Sequence, residues 1–506
     1  MSITGPGSIT AINLTAQNNM FSQLDTLSAE LGTGEASQTY SGLGAQAGLA
    51  LSLGTQLSAL DGYSNTASDV GTTLTLAQSV LTQLGDVSNS VQQTVAQQAA
   101  FSLDSDGQTA AQQTAASDLD QILSLLNTQV GGDYLFSGTA VNQPSVASTN
   151  DILYGNGTQA GLTQIISQRL QADEGVGDTG RLTATVGGAG SSTVTLSGDG
   201  SPFGFQLASV NSNLTGATAS GPSGTPPSIT VDLGSNPNAG DSIAYNLTLP
   251  DGSSQTITLQ ATTASPPGTN QFTIGASAAD TASNLQTALT TAVSNLAQTA
   301  LPSASAMAAA NDFFNSDPPQ IVDPGSPADY ATATSLEAGT TANTVFWYTG
   351  ENGSTPTLQT ASAQVGPSIT VDYGMRANEP ALSTLVANVA VLAATTFSAS
   401  DPNAQTNYQA LCQSVQANLA GQSGTQSISD IEANLANAQT AVSNATTLNT
   451  QTQNTLQDMV QNIEGVNQNQ IGEQILTLQN SLSASMSVTA RLAQLSLVNY
   501  LAPSSG

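Results

Sequence analysis

The residue types that carry most enzyme chemistry are scarce in this sequence of 506 residues. It has no histidine and no lysine, and its four basic residues are all arginines. Histidine catalysis, Schiff-base chemistry, P-loop nucleotide binding and imidazole-ligated metal sites each need one of the missing types. The composition excludes these classes, and we predict no cofactor and no metal site.

The thiol and the carboxylates that remain are poorly placed for catalysis. Cys412 is the only cysteine, and it lies in an apolar-periodic stretch where a buried, inert thiol is expected. Glycoside hydrolysis needs a carboxylate pair, but the 34 acidic residues are scattered and Trp347 is the only tryptophan. The segment 104–107, Asp-Ser-Asp-Gly, lacks the remaining ligand positions of a calcium loop and predicts a turn between helices. We therefore predict that the protein is not an enzyme.

Three further side chains could contact ligands or partners, and for two of them the sequence leaves two interpretations open. Trp347, between Phe346 and Tyr348, is either a ligand platform or, as we favour, the core of a small hairpin. Arg376 flanks Glu379, and the pair predicts a weak local ion pair. Arg491 either pairs with a carboxylate of a neighbouring subunit or is solvated on a helix.

The net charge of −30 limits the kinds of partner. Four dispersed arginines cannot neutralise a phosphate backbone, so nucleic-acid binding is excluded, and an anionic membrane surface is disfavoured. The most apolar stretch, 381–397, is interrupted by Ser, Thr and Asn, so no membrane insertion is expected. The first residues lack the basic and apolar regions of a Sec-type signal peptide. The acidic surplus favours solubility.

The first part of the chain has helical periodicity. Apolar residues between 60 and 95 step alternately by three and four, which predicts a coiled-coil-like helix from about residue 44 to residue 100. The turn at 104–107 is followed by a second helix, whose apolar face runs from residue 115 to residue 130.

The last part is helical again. Short helices are predicted at 381–397 and 408–419, followed by a nearly continuous helix over 427–501. A change in the apolar step near Gly465 and Gly472 predicts a register shift or a slight kink. Helices at opposite ends of a chain can bury their apolar faces by packing together, so we expect one bundle.

The middle of the chain, 131–380, predicts strands and turns, with one helix at 278–297. The segment Leu249–Ser253 contains Pro-Asp-Gly between two β-branched runs, which is typical of a hairpin. The fold class is therefore α+β: long N- and C-terminal helices packed as a coiled-coil-like bundle, with a β-rich outer domain inserted between them. The expected segments are an N-terminal assembly segment, two bundle parts around the β-rich insert, and a C-terminal assembly segment (1–43, 44–140, 141–380, 381–470 and 471–506).

Several motifs resemble the bacterial flagellin family, which includes the related hook–filament junction protein. They are Gly132–Thr139 (Gly-Asp-Tyr-Leu-Phe-Ser-Gly-Thr), the C-terminal helix ending at Arg491–Leu501, and Leu31–Gly34, where the family leaves its first helix. Gly180–Asn315 resembles the variable insert of flagellins from some alphaproteobacteria.

Some features depart from the flagellin pattern. Glu35 follows Gly34 where the family usually has a lysine-bearing loop, and Tyr40–Gly44 replaces the usual Asn-rich segment. Trp347–Gly350 and Tyr373–Asn378 are more similar to the junction-type relatives. The choice between filament subunit and junction subunit stays open.

The resemblance implies a structural subunit of the bacterial flagellum, either flagellin, polymerising into the filament for swimming motility, or the hook–filament junction protein. It implies self-association into a helical polymer, partners among hook-associated proteins and the export apparatus or a chaperone, and an extracellular location reached by the flagellar secretion route. A secreted adhesin or surface-layer protein is a more distant alternative, but such proteins seldom carry long coiled-coil segments at both ends.

The amphipathic termini, Ile12–Leu31 and Ile475–Leu501, would be marginal as isolated helices in water. Burial against copies of themselves would stabilise them, so their apolar residues are the predicted assembly contacts. These residues are Leu24, Leu27, Leu31, Ile475, Leu478, Leu482, Leu492, Leu495 and Val498.

Overall fold

The computed structural model describes residues 6–97, 101–421 and 424–500, with side chains described for 11–97, 101–421 and 424–494. The helices within these ranges are α1 (Pro6–Thr33), α2 (Ala47–Ala96), α3 (Ala110–Leu126), α4 (Thr149–Tyr154), α5 (Leu162–Glu174), α6 (Ala278–Thr299), α7 (Leu301–Phe314), α8 (Pro380–Ala394), α9 (Ala404–Leu419), α10 (Ile428–Glu464) and α11 (Gln468–Tyr500). The strands are β1 (Gln129–Val130), β2 (Asp133–Tyr134), β3 (Thr183–Val186), β4 (Thr193–Ser197), β5 (Gln206–Ser212), β6 (Ala217–Ser223), β7 (Ser228–Leu233), β8 (Ser242–Thr248), β9 (Ser254–Thr262), β10 (Gln271–Thr273), β11 (Gln320–Val322), β12 (Leu336–Ala338), β13 (Ser362–Gly366) and β14 (Ile369–Asp372).

Two compact units divide the chain. Unit 1 consists of Met1–Gly71, Ala363–Val371 and Thr440–Gly506, and unit 2 consists of Thr72–Ser362 and Asp372–Gln439. The predicted α+β organisation is confirmed, because long helices occupy both ends of the chain and strands occupy its middle. The finer division into five segments stays a prediction.

The heptad pattern in the first part of the chain corresponds to α2. Gly44 interrupts a 3₁₀ helix, Tyr40–Gln46, with a φ of 57°, a backbone conformation that favours glycine, and α2 begins three residues later. The apolar residues that step by three and four are buried along the helix. They are Leu60, Ala67, Val70, Leu74, Ala77, Leu81, Leu84, Val87, Val91 and Val95.

Side chains of α10 contact side chains of α2 within each unit. In unit 1, Gln453 Nε2 donates to Asp61 Oδ1 at 2.8 Å, and in unit 2, Thr82 Oγ1 donates to Glu432 Oε1 at 3.3 Å. In unit 1 the apolar residues between the two helices form one cluster, which confirms that helices from the two chain ends pack together. Its members are Leu53, Leu57, Leu60, Tyr63, Leu456, Val460 and Ile463.

The turn after α2 is held by one carboxylate. Asp104 Oδ1 accepts hydrogen bonds from the backbone N–H groups of Asp106, at 2.9 Å, and Gln108, at 2.8 Å. Thr109 and Gln112 then form a reciprocal capping box that begins α3. The prediction of a helix–turn–helix connection here is confirmed.

The long C-terminal helix has a break at one of the two predicted glycines. α10 ends at Glu464, Gly465 lies between the helices, and α11 begins at Gln468. Gly472, the second predicted position, lies inside α11 without interrupting it.

Unit 2 contains two four-stranded sheets, with strand orders β3-β4-β7-β6 and β10-β9-β8-β5. Strands β4 and β8 alternate in burial, so one face of each is apolar and the other carries hydroxyl or amide groups. The predicted hairpin is confirmed: Gly252 N donates to Leu249 O in the turn that joins β8 to β9. The inner faces of both sheets share a core with α6, which includes Val194, Tyr245 and Leu285.

The prediction of a single helix in the middle of the chain was wrong, because α4, α5 and α7 also lie there. α7 is rich in Ala and Ser and buried on nearly all sides, so it has no polar face from which a helical period could be read. α5 lies between Gly161 and Gly175, and its inward-facing side includes the charged residues Arg169 and Asp173, which obscure its apolar period. Among the helices of the described ranges, none is both long and apolar enough to cross a bilayer.

Candidate assembly surface

In unit 1 the first helix of the chain packs against the last. α1 and α11 lie side by side, and Gln17 Nε2 donates to Thr489 Oγ1 at 3.1 Å and to Ser485 Oγ at 3.4 Å. Gln17 is 9% exposed, so this polar contact is largely shielded from water. It sets the alignment of the two helices.

A short backbone pairing closes the other end of this helix pair. Val466 N donates to Gly34 O at 3.0 Å, and Ala36 N donates to Glu464 O at 2.6 Å. Gly34 has a φ of 77°, which suits glycine and lets the chain leave α1 at this point. Since residue 17 lies beside residues 485 and 489 while residue 34 lies beside 466, α1 and α11 are antiparallel.

The predicted assembly contacts lie mainly on the covered side of this pair. Leu24 is seven residues after Gln17 and Leu482 is seven before Thr489, spacings that place each beside the polar contact on the same helical face. Leu482 is 8% exposed, and Leu31 is 38% exposed. Others of the set are half-buried, namely Leu24, Leu27, Ile475, Leu478 and Leu492. The side chains of Leu495 and Val498 lie outside the described residues.

The packing of α1 on α11 therefore gives the predicted seam a use inside one copy. Contact between copies through these residues stays a prediction. A shallow surface groove lies beside Ser22, Gln23, Thr26, Leu27 and Gln474.

A second set of apolar side chains on α1 and α11 is exposed. The heptad pattern did not predict these residues, because they lie away from the seam. Ile12 and Leu476 are more than 60% exposed. We call this set the uncovered apolar residues. It consists of Ile12, Leu14, Phe21, Leu476, Met486 and Val488. They are distributed around the helices and do not share one face, since Ile12 and Phe21 are nine residues apart and lie on opposite sides of α1.

Three of the four arginines are used inside unit 2. Arg169 bridges Asp173, at 2.9 Å, and Asp312, at 2.5 Å, and its guanidinium carbon lies 5.1 Å from the ring centre of Phe203. Burial raises the pKa of the Asp173 carboxyl, and the Arg169 charge opposes that shift. Arg181 contacts the same ring at 5.3 Å.

Arg376 does not form the ion pair that its neighbour in sequence predicted. Its guanidinium bonds Glu351, whereas Glu379 accepts a hydrogen bond from Gln426 Nε2 at 2.8 Å. The distant carboxylate wins because the loop carrying it is hydrogen-bonded into the same site, with Glu351 N donating to Ser137 O at 2.9 Å.

This site joins the family-like motifs of the sequence. Gly138 N donates to Met375 O at 3.0 Å, and Ala377 N donates to Phe136 O at 2.8 Å. A Cβ at Gly138 would lie 3.2 Å from Arg376 Nε, so the close approach favours glycine there. The segments 132–139 and 373–378 are therefore one structural element.

Trp347 belongs to the core and is not a ligand platform. It is 3% exposed, its Nε1 donates to Phe314 O at 3.0 Å, and the two ring centres lie 5.4 Å apart. Trp347 is among the residues that line a cavity of about 340 Å³, but its side chain is almost inaccessible to water. The interpretation of this residue as core is confirmed, but the predicted small hairpin was wrong, because Trp347 lies outside the strands and packs against Phe314 of α7.

The single cysteine lies in the interior of unit 2. Cys412 is fully buried on α9, and burial raises the pKa of its thiol. No group of three or more His, Cys, Asp or Glu side chains within the described ranges could hold a metal ion.

The first part of the chain matches a known protein family. Residues 8–141 match the model of the bacterial flagellin N-terminal helical region. The matched residues include α2, α3 and the β1–β2 pair, and they end just after the motif 132–139. No match to a curated protein was found.

Proposed function

We propose that the protein is a structural subunit of the bacterial flagellum, specifically a flagellin that polymerises into the filament used for swimming. The observation that carries this proposal is the antiparallel pairing of α1 with α11, which leaves apolar side chains of both helices uncovered. The match of residues 8–141 to the flagellin N-terminal region supports it, because the match includes all the described side chains of α1.

The physical argument concerns area and charge. Burying the uncovered apolar residues against another copy would contribute roughly 25 cal/mol for each Å² of apolar surface removed from water. A net charge of −30 on every copy opposes that association, and salt weakens this repulsion. Assembly should therefore depend steeply on salt, and the free subunit should stay soluble without it.

A second position in the flagellum is the hook–filament junction. Two segments resemble junction-type relatives. Tyr373–Asn378 is bonded to the motif 132–139 through Ala377 N and Phe136 O, and Trp347–Gly350 directly precedes Glu351, whose N–H donates to Ser137 O. A junction subunit would need the same helix pair, but it would not extend into long polymers.

Export by the flagellar secretion route would bring the subunit to an extracellular location, with hook-associated proteins and an export chaperone as further partners. Deleting residues 2–40 should keep the protein in the cytoplasm, because it removes all of α1. Equal amounts of truncated and full-length protein in the medium would contradict this route. A cytoplasmic marker enzyme in both fractions controls for lysis.

The assembly proposal is tested by incubating the purified full chain at rising ammonium sulfate concentration, followed by sedimentation and electron microscopy. Long uniform filaments are expected of a flagellin. Monomers or short rings would favour the junction role. Irregular aggregates, with loss of the buried Trp347 fluorescence signal, would contradict both.

A further inference from the structure

Arg491 is the one arginine that the described structure leaves without a carboxylate. The guanidinium groups of Arg169, Arg181 and Arg376 each lie in an ion pair inside unit 2, with side chains less than 10% exposed. Arg491 lies exposed on α11, and none of the described carboxylates is within ion-pairing distance of it.

Its position on the helix turns it away from α1. From Leu482 to Arg491 is nine residues, or about two and a half turns at 3.6 residues per turn, so the two side chains lie on opposite sides of α11. Leu482 is buried on the side that faces α1. Val488, one of the uncovered apolar residues, lies three residues before Arg491 and is therefore its neighbour on the exposed side of α11.

α1 carries a complementary arrangement. Leu14, Phe21 and Asp25 are spaced by seven and four residues, so they share one exposed face of that helix. α11 thus presents Val488 beside a cation, and α1 presents Phe21 beside a carboxylate.

These two charges cannot meet within one copy. The bonds from Gln17 to Ser485 and Thr489 set the alignment, which puts Asp25 level with about residue 479. Arg491 is then about 18 Å away along the helix axis at 1.5 Å per residue. A contact between Arg491 and Asp25 therefore has to join two copies.

We propose that Arg491 of one copy binds Asp25 of a second copy, with the adjacent apolar residues of α1 and α11 closing around the pair. The inference rests on the proposed polymerisation and names the contact that orients neighbouring copies. Charge complementarity supports a second copy as the occupant, since Arg491 is the one cation that a chain of net charge −30 leaves unpaired on its described surface. A guanidinium can bond a carboxylate through two parallel N–H groups, which fixes direction as well as distance.

The test measures the concentration of subunit left in solution at equilibrium with polymer seeded by the parent protein. Arg491→Glu should raise that concentration about tenfold or more, because it places two carboxylates opposite each other in every contact. Asp25→Arg should have a similar effect, and Arg491→Gln a smaller one. Gln255→Glu on the exposed side of β9 is the matched control, because it lowers the net charge by one unit as Arg491→Gln does.

The decisive variant is the exchanged pair, Arg491→Glu with Asp25→Arg. Its residual concentration should return to within about threefold of the parent value. Parent-like polymerisation of Arg491→Glu would overturn the proposal, and so would a failure of the exchanged pair to recover while its circular dichroism matches that of the parent. If the parent itself forms no polymer, the proposed function fails first and this contact with it.

Discussion

α6 and α11 are both long helices, yet neighbouring elements cover them to very different degrees. α6 buries Leu285 and Leu289 completely between two sheets and the neighbouring helix α7. Among the described side chains of α11, only Ile471 and Leu482 fall below 10% exposure. Unit 2 thus contains a dense core of its own, whereas the terminal helices of unit 1 leave apolar surface uncovered. A region that buries its own apolar side chains, such as the core of unit 2, needs no partner to cover them. The terminal helices of unit 1 do need one.

The largest effect is expected from substitutions in the terminal helix α11. Leu492→Asp with Leu495→Asp should abolish polymerisation, because two leucines at a repeated contact contribute roughly 1.5–3 kcal/mol each. Sedimentation under assembly conditions measures the loss. Unit 2 should be unaffected, and Trp347, the only tryptophan and a buried one, reports on that unit by fluorescence. Normal filaments from the double variant would show that this seam is not a polymer contact.

A smaller effect is expected from replacing a buried arginine, and it should exceed the effect of replacing the exposed one. Arg169→Met should lower the free energy of unfolding of unit 2 by about 3–5 kcal/mol, because Asp173 and Asp312 lose their buried cation. Denaturant titration followed by Trp347 fluorescence measures it. Arg491→Gln is the matched control, with an expected change below about 0.5 kcal/mol. Equal losses from both variants would contradict the comparison.

Replacing leucines by alanine compares the packing of the two regions directly. Leu285→Ala should destabilise unit 2 by about 2–5 kcal/mol, since the side chain is fully buried. Leu478→Ala, at a half-buried site on α11, should cost the free subunit about 1 kcal/mol. Circular dichroism in denaturant gives both values. A larger loss at Leu478 would mean that the terminal helices are better packed than their exposure indicates.

The smallest expected effect is one of pH. Backbone N–H groups, that of Gln108 first, hold the pKa of the Asp104 carboxyl below its usual range. Because the pKa of Asp104 is lower in the folded state, its ionised carboxylate stabilises the turn at pH values above the unfolded-state pKa, which is near 3.8. This contribution to stability is lost as the pH falls through the folded-state pKa. Carboxyl NMR titration should place the pKa of Asp104 below the ordinary value of 3.8. A higher value for Asp104 would contradict the assignment.

Much of the helical part was predictable because its information is local. The heptad residues from Leu60 to Val95 repeat at a spacing that only a helix places on one face, and their burial confirms it. The change of step near Gly465 predicted a register shift or a slight kink, and the structure has a full break between α10 and α11 there. By contrast, α7 could not be read, since a helix surrounded by protein has no polar face.

The sequence by itself determined the fold class, the absence of histidine and lysine chemistry, and the helical seams at the two chain ends. Tertiary structure alone decided which charges meet. Arg376 is three residues from Glu379 but pairs with Glu351, and Arg169 joins Asp312 on another helix, because ion pairing depends on distance in space. It also decided which apolar residues of α1 and α11 are covered inside one copy and which remain for another. A periodic pattern specifies that a helix has an apolar face, and only packing specifies what covers it.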